Sequence, residues 1–171
     1  MTGWPASERS RNGGVDRVSL PDSPGGLFLC GKHFVGPDPE GAIARVGATV
    51  VVCLSEEPEL DDRYPEYVSW LRVNQPARAV WFPIPDLHAP AVDDAEQMLE
   101  QLRARLEDGA TLLVHCGAGI GRAGTIAAAL LITMGLELDD ALATVAAHRP
   151  TAGPEVGAQA DLLTALAAAR A

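Results

Sequence analysis

Cys116 and Arg122 stand six positions apart in the stretch "LLVHCGAGIGRAGT" (112–125), separated by Gly117, Ala118, Gly119, Ile120 and Gly121. A segment this small and glycine-rich can curl tightly enough for several successive backbone N–H groups to converge on one anion. A helix beginning near Arg122 aims its positive end at the same point. The arginine can then close over two phosphate oxygens with its planar fork. A thiol beside a helix N-terminus and an arginine ionises readily, so the dipoles that hold a phosphate also create a sulfur nucleophile beneath it. The chemistry these residues suggest is attack of Cys116 on phosphorus.

The same loop has a second reading, because Gly119, Gly121 and Gly124 spell G-x-G-x-x-G. A dinucleotide fold needs that loop in its first βαβ unit, a further strand after the helix, and an acid about 20 residues on. Here the loop follows the last strand-like segment, and the next acids, Glu137, Asp139 and Asp140, open a helix instead. A P-loop also fails, since Gly124 is followed by Thr125 and not by lysine.

The elements that must hold Cys116 and Arg122 can be read from apolar patterning. "LFLC" (27–30), "TVVVCL" (49–54), "AVWFPIP" (79–85) and "TLLVHC" (111–116) read as strands, and continuous apolar runs of that kind suit burial on both faces. Residues 36–48 supply Pro-Asp-Pro to start a short helix and Gly47 to stop it. In the stretch from Ala91 to Gly109, Ala95, Met98, Leu99, Leu102 and Leu106 follow helical spacing. Pro65 breaks the segment between the second and third strands. Helices are expected over roughly 122–135, 138–148 and 155–170. Alternating strands and helices predict one α/β domain, with a mainly parallel sheet of four to five strands flanked by helices. Residues 1–20, polar and rich in Gly, Ser and Arg, read as a flexible arm ahead of a domain spanning 21–171.

Composition narrows the partners. The 171 residues carry a net charge of −10, which argues against nucleic acid or an anionic membrane. The start of the chain lacks the apolar core of a secretory signal, and the longest apolar run is too short to span a bilayer, so a cytoplasmic location is expected. Three cysteines, Cys30, Cys53 and Cys116, without a C-x-x-C pair, point to neither a disulfide framework nor a zinc site.

His-Cys-x5-Arg between a strand and a helix resembles the signature loop of the cysteine-dependent protein tyrosine phosphatases. The form "HCGAGIGRAGT" is most similar to their dual-specificity branch, and the likeness extends from about residue 25 onward. The resemblance implies a dual-specificity phosphatase-like fold and hydrolysis of phosphotyrosine, with phosphoserine and phosphothreonine as further substrates, in phosphorylated proteins or peptides. It implies a phosphocysteine intermediate on Cys116, a phosphate cradle from Gly117 to Arg122, and no metal or cofactor. "FPIPDLHAP" resembles the movable loop that carries the family's general acid, which assigns the role to Asp86, thirty residues before Cys116. Asp93 and Asp94 are accounted for by helix-start placement, and His88 by a surface loop. By resemblance His115 orders the loop, unless it is simply a buried core histidine. Gln159 in "RPTAGPEVGAQ" orients water, or is an ordinary helix residue. "VVCLSEEPEL" resembles the segment whose acid braces the arginine, offering Glu56 or Glu57, though a charged helix start explains both. Cys53 is either core or a disulfide partner of Cys116 under oxidants.

One position departs from the family pattern. The residue after the arginine is usually Ser or Thr, whose hydroxyl eases departure of the thiolate, and here it is Ala123. Slow breakdown of the phosphoenzyme is therefore expected. Two alternatives stay open: a phosphate-binding pseudophosphatase, and a phosphatase for a phosphoinositide or other small ester. The uncharged residues between Cys116 and Arg122 favour phosphoprotein over highly phosphorylated inositides.

Overall fold

The computed structural model describes residues 14–170. Five strands form one sheet: β1 (Val15–Val18), β2 (Gly26–Gly31), β3 (Val50–Cys53), β4 (Ala79–Trp81) and β5 (Thr111–Cys116), in the order β1-β2-β5-β3-β4. β1 runs antiparallel to β2, and the other pairs are parallel. The central place of β5 follows from its composition, since every residue from Leu112 to Cys116 is buried. Its register puts His115 beside Cys30 on one side and Cys53 on the other.

Helices cover both faces, as apolar strands require. One face packs α1 (Lys32–Val35), α2 (Pro39–Val46), α3 (Glu57–Asp61) and α4 (Pro65–Asn74) through Phe34, Ile43, Leu60 and Tyr67. The other packs α5 (Val92–Glu107), α6 (Gly121–Thr133), α7 (Leu138–His148) and α8 (Gly157–Ala169). All thirteen residues of α6 are buried, which explains its run of alanines: the central helix has no solvent face to mark with charge. The expected start and stop signals operate, with Asp38 capping α2, Gly47 closing it at φ 68°, and Pro65 opening α4 as a separate helix.

Two boundaries differ from the sequence reading. Residues 15–18, expected within a flexible arm, form β1, while residues 1–13 of that arm lie outside the described residues. β1 carries adjacent charges, and Asp16 is buried with Arg149, 133 positions away, paired to it at 2.9 Å. β4 ends at Trp81 instead of 85, because Pro83 and Pro85 have no N–H to donate. Pairing nonetheless continues at alternate residues, Phe82 N to Cys53 O at 2.9 Å and Ile84 N to Leu54 O at 3.0 Å. That track delivers residues 85–88 to the carboxyl ends of the parallel strands, where open α/β sheets place their ligand crevices.

Candidate active site

A cleft of about 740 Å³ opens at that edge, with Cys116, Gly117, Ala118, Ile120, Gly121 and Arg122 at its base. Lys32, His33 and Glu59 line it too, and Asp86, Leu87, Arg149, Pro150, Thr151 and Glu155 line the remainder. Cys116 ends the central strand and is 3% exposed as a residue.

The loop after Cys116 is held from outside by its carbonyls. Gly117 O accepts from Lys32 N at 2.9 Å, Ala118 O from Arg149 Nη2 at 2.9 Å, and Gly119 O from Arg149 Nε at 2.8 Å. In a planar trans peptide the N–H points opposite to the C=O. Turning these three carbonyls outward therefore turns the N–H groups of Ala118, Gly119 and Ile120 inward. Gly119 makes this possible at φ 75°, and a Cβ there would stand 2.3 Å from Cys30 O. The first turn of α6 adds its positive end.

Arg122 is 4% exposed and is held through its two terminal nitrogens. Its Nη1 donates to Glu59 Oε2 at 2.8 Å and to Ile84 O at 2.8 Å; its Nη2 donates to Glu59 Oε1 at 2.7 Å and lies 3.4 Å from Asp86 Oδ1. Burial opposes the charge, but the Glu59 hydrogen bonds and nearby carboxylates outweigh it and raise the pKa of Arg122. Glu59 is shifted the other way: burial pushes its carboxyl up, and the Arg122 and Glu56 hydrogen bonds more than offset that, leaving it below its usual range. The bracing acid is thus Glu59, not Glu56 or Glu57. Glu56 is the N-cap of α3, in a reciprocal capping box with Glu59, and Glu57 pairs with Arg72 on the surface.

His115 is buried beneath the loop. Burial drives its pKa down to about 4, so the ring is neutral. Tyr67 is buried and kept protonated, hence its hydroxyl donates to His115 Nε2 at 2.5 Å. The remaining ring proton, on Nδ1, then goes to Cys116 O at 3.1 Å. His115 therefore orients the peptide at the carbonyl of Cys116. Cys53 sits on the same sheet face as His115, whereas Cys116 joins the core on the opposite face. Side chains that diverge in this way cannot be bridged without moving the backbone, which argues against the Cys53–Cys116 disulfide.

Asp86 lies in the turn Pro85–His88, closed by His88 N donating to Pro85 O at 3.0 Å, with its side chain 69% exposed toward the cleft mouth. Gln159, on the first turn of α8, does not line the cleft; it is 1% exposed and hydrogen-bonded at both ends of its amide. Ala123 is fully buried, and Thr125 Oγ1, two residues on, is buried without a hydrogen-bond partner among the described residues. Sequence reasoning missed Lys32, Glu59, Arg149 and Glu155. Arg149 stood within the quoted "RPTAGPEVGAQ", and Glu59 was the third residue after the helix-capping Glu56. Neither spacing alone says which partner the fold will bring.

The description "Swiss Army Knife protein, DSP-PTPase phosphatase domain" belongs to the family model that matches residues 30–163. No curated protein sequence gives a significant match. Among solved structures, Tk-PTP in its active form is 27% identical, covers 89% of this chain and 96% of its own, and superposes with a TM-score of 0.67. Human DUSP28 is similar at 23% identity, over 90% of this chain and 94% of its own, with a TM-score of 0.66. The human tyrosine phosphatase-like serine/threonine/tyrosine-interacting protein shares the fold at 22% identity, over 91% and 98%, with a TM-score of 0.70. The chain belongs to the dual-specificity-type branch of the cysteine-dependent protein tyrosine phosphatase domains.

Proposed function

We propose that this chain hydrolyses phosphate monoesters of proteins, phosphotyrosine foremost and phosphoserine or phosphothreonine besides, through a phosphocysteine on Cys116. The observation that carries the reading is the trio of outward-held carbonyls at Gly117, Ala118 and Gly119, which leaves an amide cradle directly after a buried cysteine. In the first step the Cys116 thiolate attacks phosphorus, the ester P–O bond breaks, and Asp86 gives its proton to the leaving oxygen. In the second, water attacks the phosphocysteine, Asp86 takes the water proton, and the thiolate leaves. Arg122 and the loop amides stabilise the equatorial oxygens in both, the part of phosphoryl transfer that depends on positioned charge. A placed proton donor is worth about 10²–10⁴-fold.

The charges around the cleft favour a single phosphate. Lys32, Arg122 and Arg149 are matched in number by Glu59, Asp86 and Glu155, so little cationic surplus is left for a second phosphate. That supports a phosphoprotein over a highly phosphorylated inositide. Ala123 supports one other reading, a cradle that binds phosphate without turnover.

Hydrolysis of phenyl phosphate and of a phosphotyrosine peptide by the wild type, Cys116→Ser and Asp86→Ala separates these. Activity lost in Cys116→Ser and reduced in Asp86→Ala is the expected result. Phosphate binding with no hydrolysis in any of the three would favour the binding module.

A further inference from the structure

The turn that carries Asp86 is tied down on both sides of the acid. Two residues upstream, Ile84 O accepts from Arg122 Nη1 at 2.8 Å. Two residues downstream, His88 O accepts from Gln159 Nε2 at 3.2 Å. The other end of the same amide, Gln159 Oε1, accepts from Glu155 N at 2.8 Å. Glu155 in turn rests its carboxylate in the notch left by Gly121, where a Cβ would come within 1.9 Å of Oε1. One buried amide thereby links the acid-bearing turn to the segment that abuts the phosphate loop.

The turn needs such a tie. Leu87 holds φ 61°, a left-handed conformation that a leucine seldom adopts unless its surroundings impose it. Within the turn, Leu87 N donates to Asp86 Oδ1 at 3.0 Å and the His88 ring approaches Asp86 O at 2.8 Å. These local bonds fix the carboxylate relative to the turn; they do not fix the turn relative to Cys116. Gln159 supplies that second constraint from α8.

We infer that Gln159 is a positioning residue for proton transfer: it holds the Asp86 turn over the cradle, in place of the water-orienting role suggested by family resemblance. The inference rests on Asp86 being the proton donor. It differs from a water-orienting role in which step it affects. A displaced acid slows cleavage of the P–O ester bond, and most where the leaving group is basic. A lost water-orienting group slows hydrolysis of the phosphocysteine, which no longer contains the leaving group.

The test is kcat/KM and kcat over a series of aryl phosphates, from 4-nitrophenyl to phenyl, for wild type, Gln159→Met, Asp86→Ala and the double variant. Methionine keeps the buried bulk while removing both hydrogen bonds, and a far-UV spectrum and urea midpoint check that it folds. We expect Gln159→Met to lose about 10- to 100-fold in kcat/KM on phenyl phosphate, the scale of a misplaced catalytic group. On 4-nitrophenyl phosphate the loss should be under about threefold, because that leaving group needs little protonation. The double variant should be no slower than Asp86→Ala. A steep leaving-group dependence in Asp86→Ala beside a flat one in Gln159→Met would overturn this inference alone. An equal fall in kcat across the series, with phosphoenzyme accumulating, would return Gln159 to the water-orienting role. A flat profile in Asp86→Ala would remove the assignment of Asp86, and this inference with it.

Discussion

The Glu59 carboxylate receives the Arg122 guanidinium end-on, Nη2 to Oε1 at 2.7 Å and Nη1 to Oε2 at 2.8 Å, while Oε2 also accepts the N–H of Glu56 at 2.8 Å. One side chain thus starts α3 and fixes the plane of the arginine, which under the proposed function would meet the phosphate. The guanidinium is nearly buried, and the carboxylate, 23% exposed, closes it off from solvent.

Glu59→Gln should therefore cost both stability and activity. Removing one partner of a buried pair costs about 3–5 kcal/mol, and partial exposure of Glu59 reduces that to roughly 1–3 kcal/mol. Turnover of phenyl phosphate should drop at least about tenfold, since the arginine fork loses its orientation. Glu57→Gln, which breaks a pair with the exposed Arg72, should change stability by less than about 0.5 kcal/mol. Urea titration and initial rates read both effects, and equal behaviour of the two variants would refute the brace.

His115 predicts an acid limit to stability. Its pKa is lowered in the fold to about 4 from an ordinary 6.5, so between those values the unfolded chain binds the extra proton. The contribution is whole above pH 6.5, declines as pH falls, and is lost near pH 4. Its full size is about 3 kcal/mol. Glu59, also lowered, acts in the same direction at the acid end of the window. Urea unfolding at pH 7 and pH 4.5 should show a smaller pH-dependent drop in His115→Asn than in the wild type. An identical drop would mean that the histidine is not held neutral.

What could be read from sequence at this site was local. Cys116 and Arg122 stand six residues apart at the two ends of one turn, so their closeness follows from spacing, because the turn and the helix start are themselves set by nearby glycines. Asp86 was picked out only through the resemblance of "FPIPDLHAP" to the family's acid-bearing loop, and the structure places it at the mouth of the cleft. Glu59 and Arg149 were not, since each acts only once β-strand register brings distant segments together: Glu59 meets a residue 63 positions on, and Arg149 meets carbonyls about thirty positions back. The missed strand β1 has the same cause. Asp16 looks like a surface residue until Arg149 is folded against it.

Ala123 bears on which step limits turnover. Its methyl lies in the same buried cluster as Cys116, and under the proposed function a hydroxyl there would assist the departing thiolate. We expect a rapid-mixing burst of phenol product in the wild type. Ala123→Ser should shrink that burst and raise kcat, by about tenfold if one charge-assisted hydrogen bond is gained. It should leave kcat/KM nearly unchanged, because that ratio reports only the steps through P–O cleavage. A wild type without a burst would place the slow step at ester cleavage.

The G-x-G-x-x-G spelling has an account that needs no nucleotide, and Gly124 tests it. A Cβ on Gly124 would stand 2.2 Å from Gly153 N and 2.9 Å from both Ala152 C and Gly153 Cα, all backbone. α6 and the turn after Arg149 pack at that point without a side chain between them, and Gly153 N donates to Ile120 O at 3.0 Å across the contact. In an open helix interior, Gly→Ala would add about 1 kcal/mol of stability from propensity. Here the methyl must push backbone aside, an overpacking cost of about 1–3 kcal/mol, so Gly124→Ala should destabilise. Gly157, with nothing within 4 Å of its Cβ position, is the control and should gain or hold stability as alanine. Because the displaced turn begins at Arg149, which holds the carbonyls of Ala118 and Gly119, Gly124→Ala should also weaken inhibition by vanadate, a phosphate mimic, while Gly157→Ala leaves it unchanged. Urea midpoints and vanadate titration decide the matter; a Gly124→Ala protein as stable and as strongly inhibited as the wild type would show that this contact does not support the cradle.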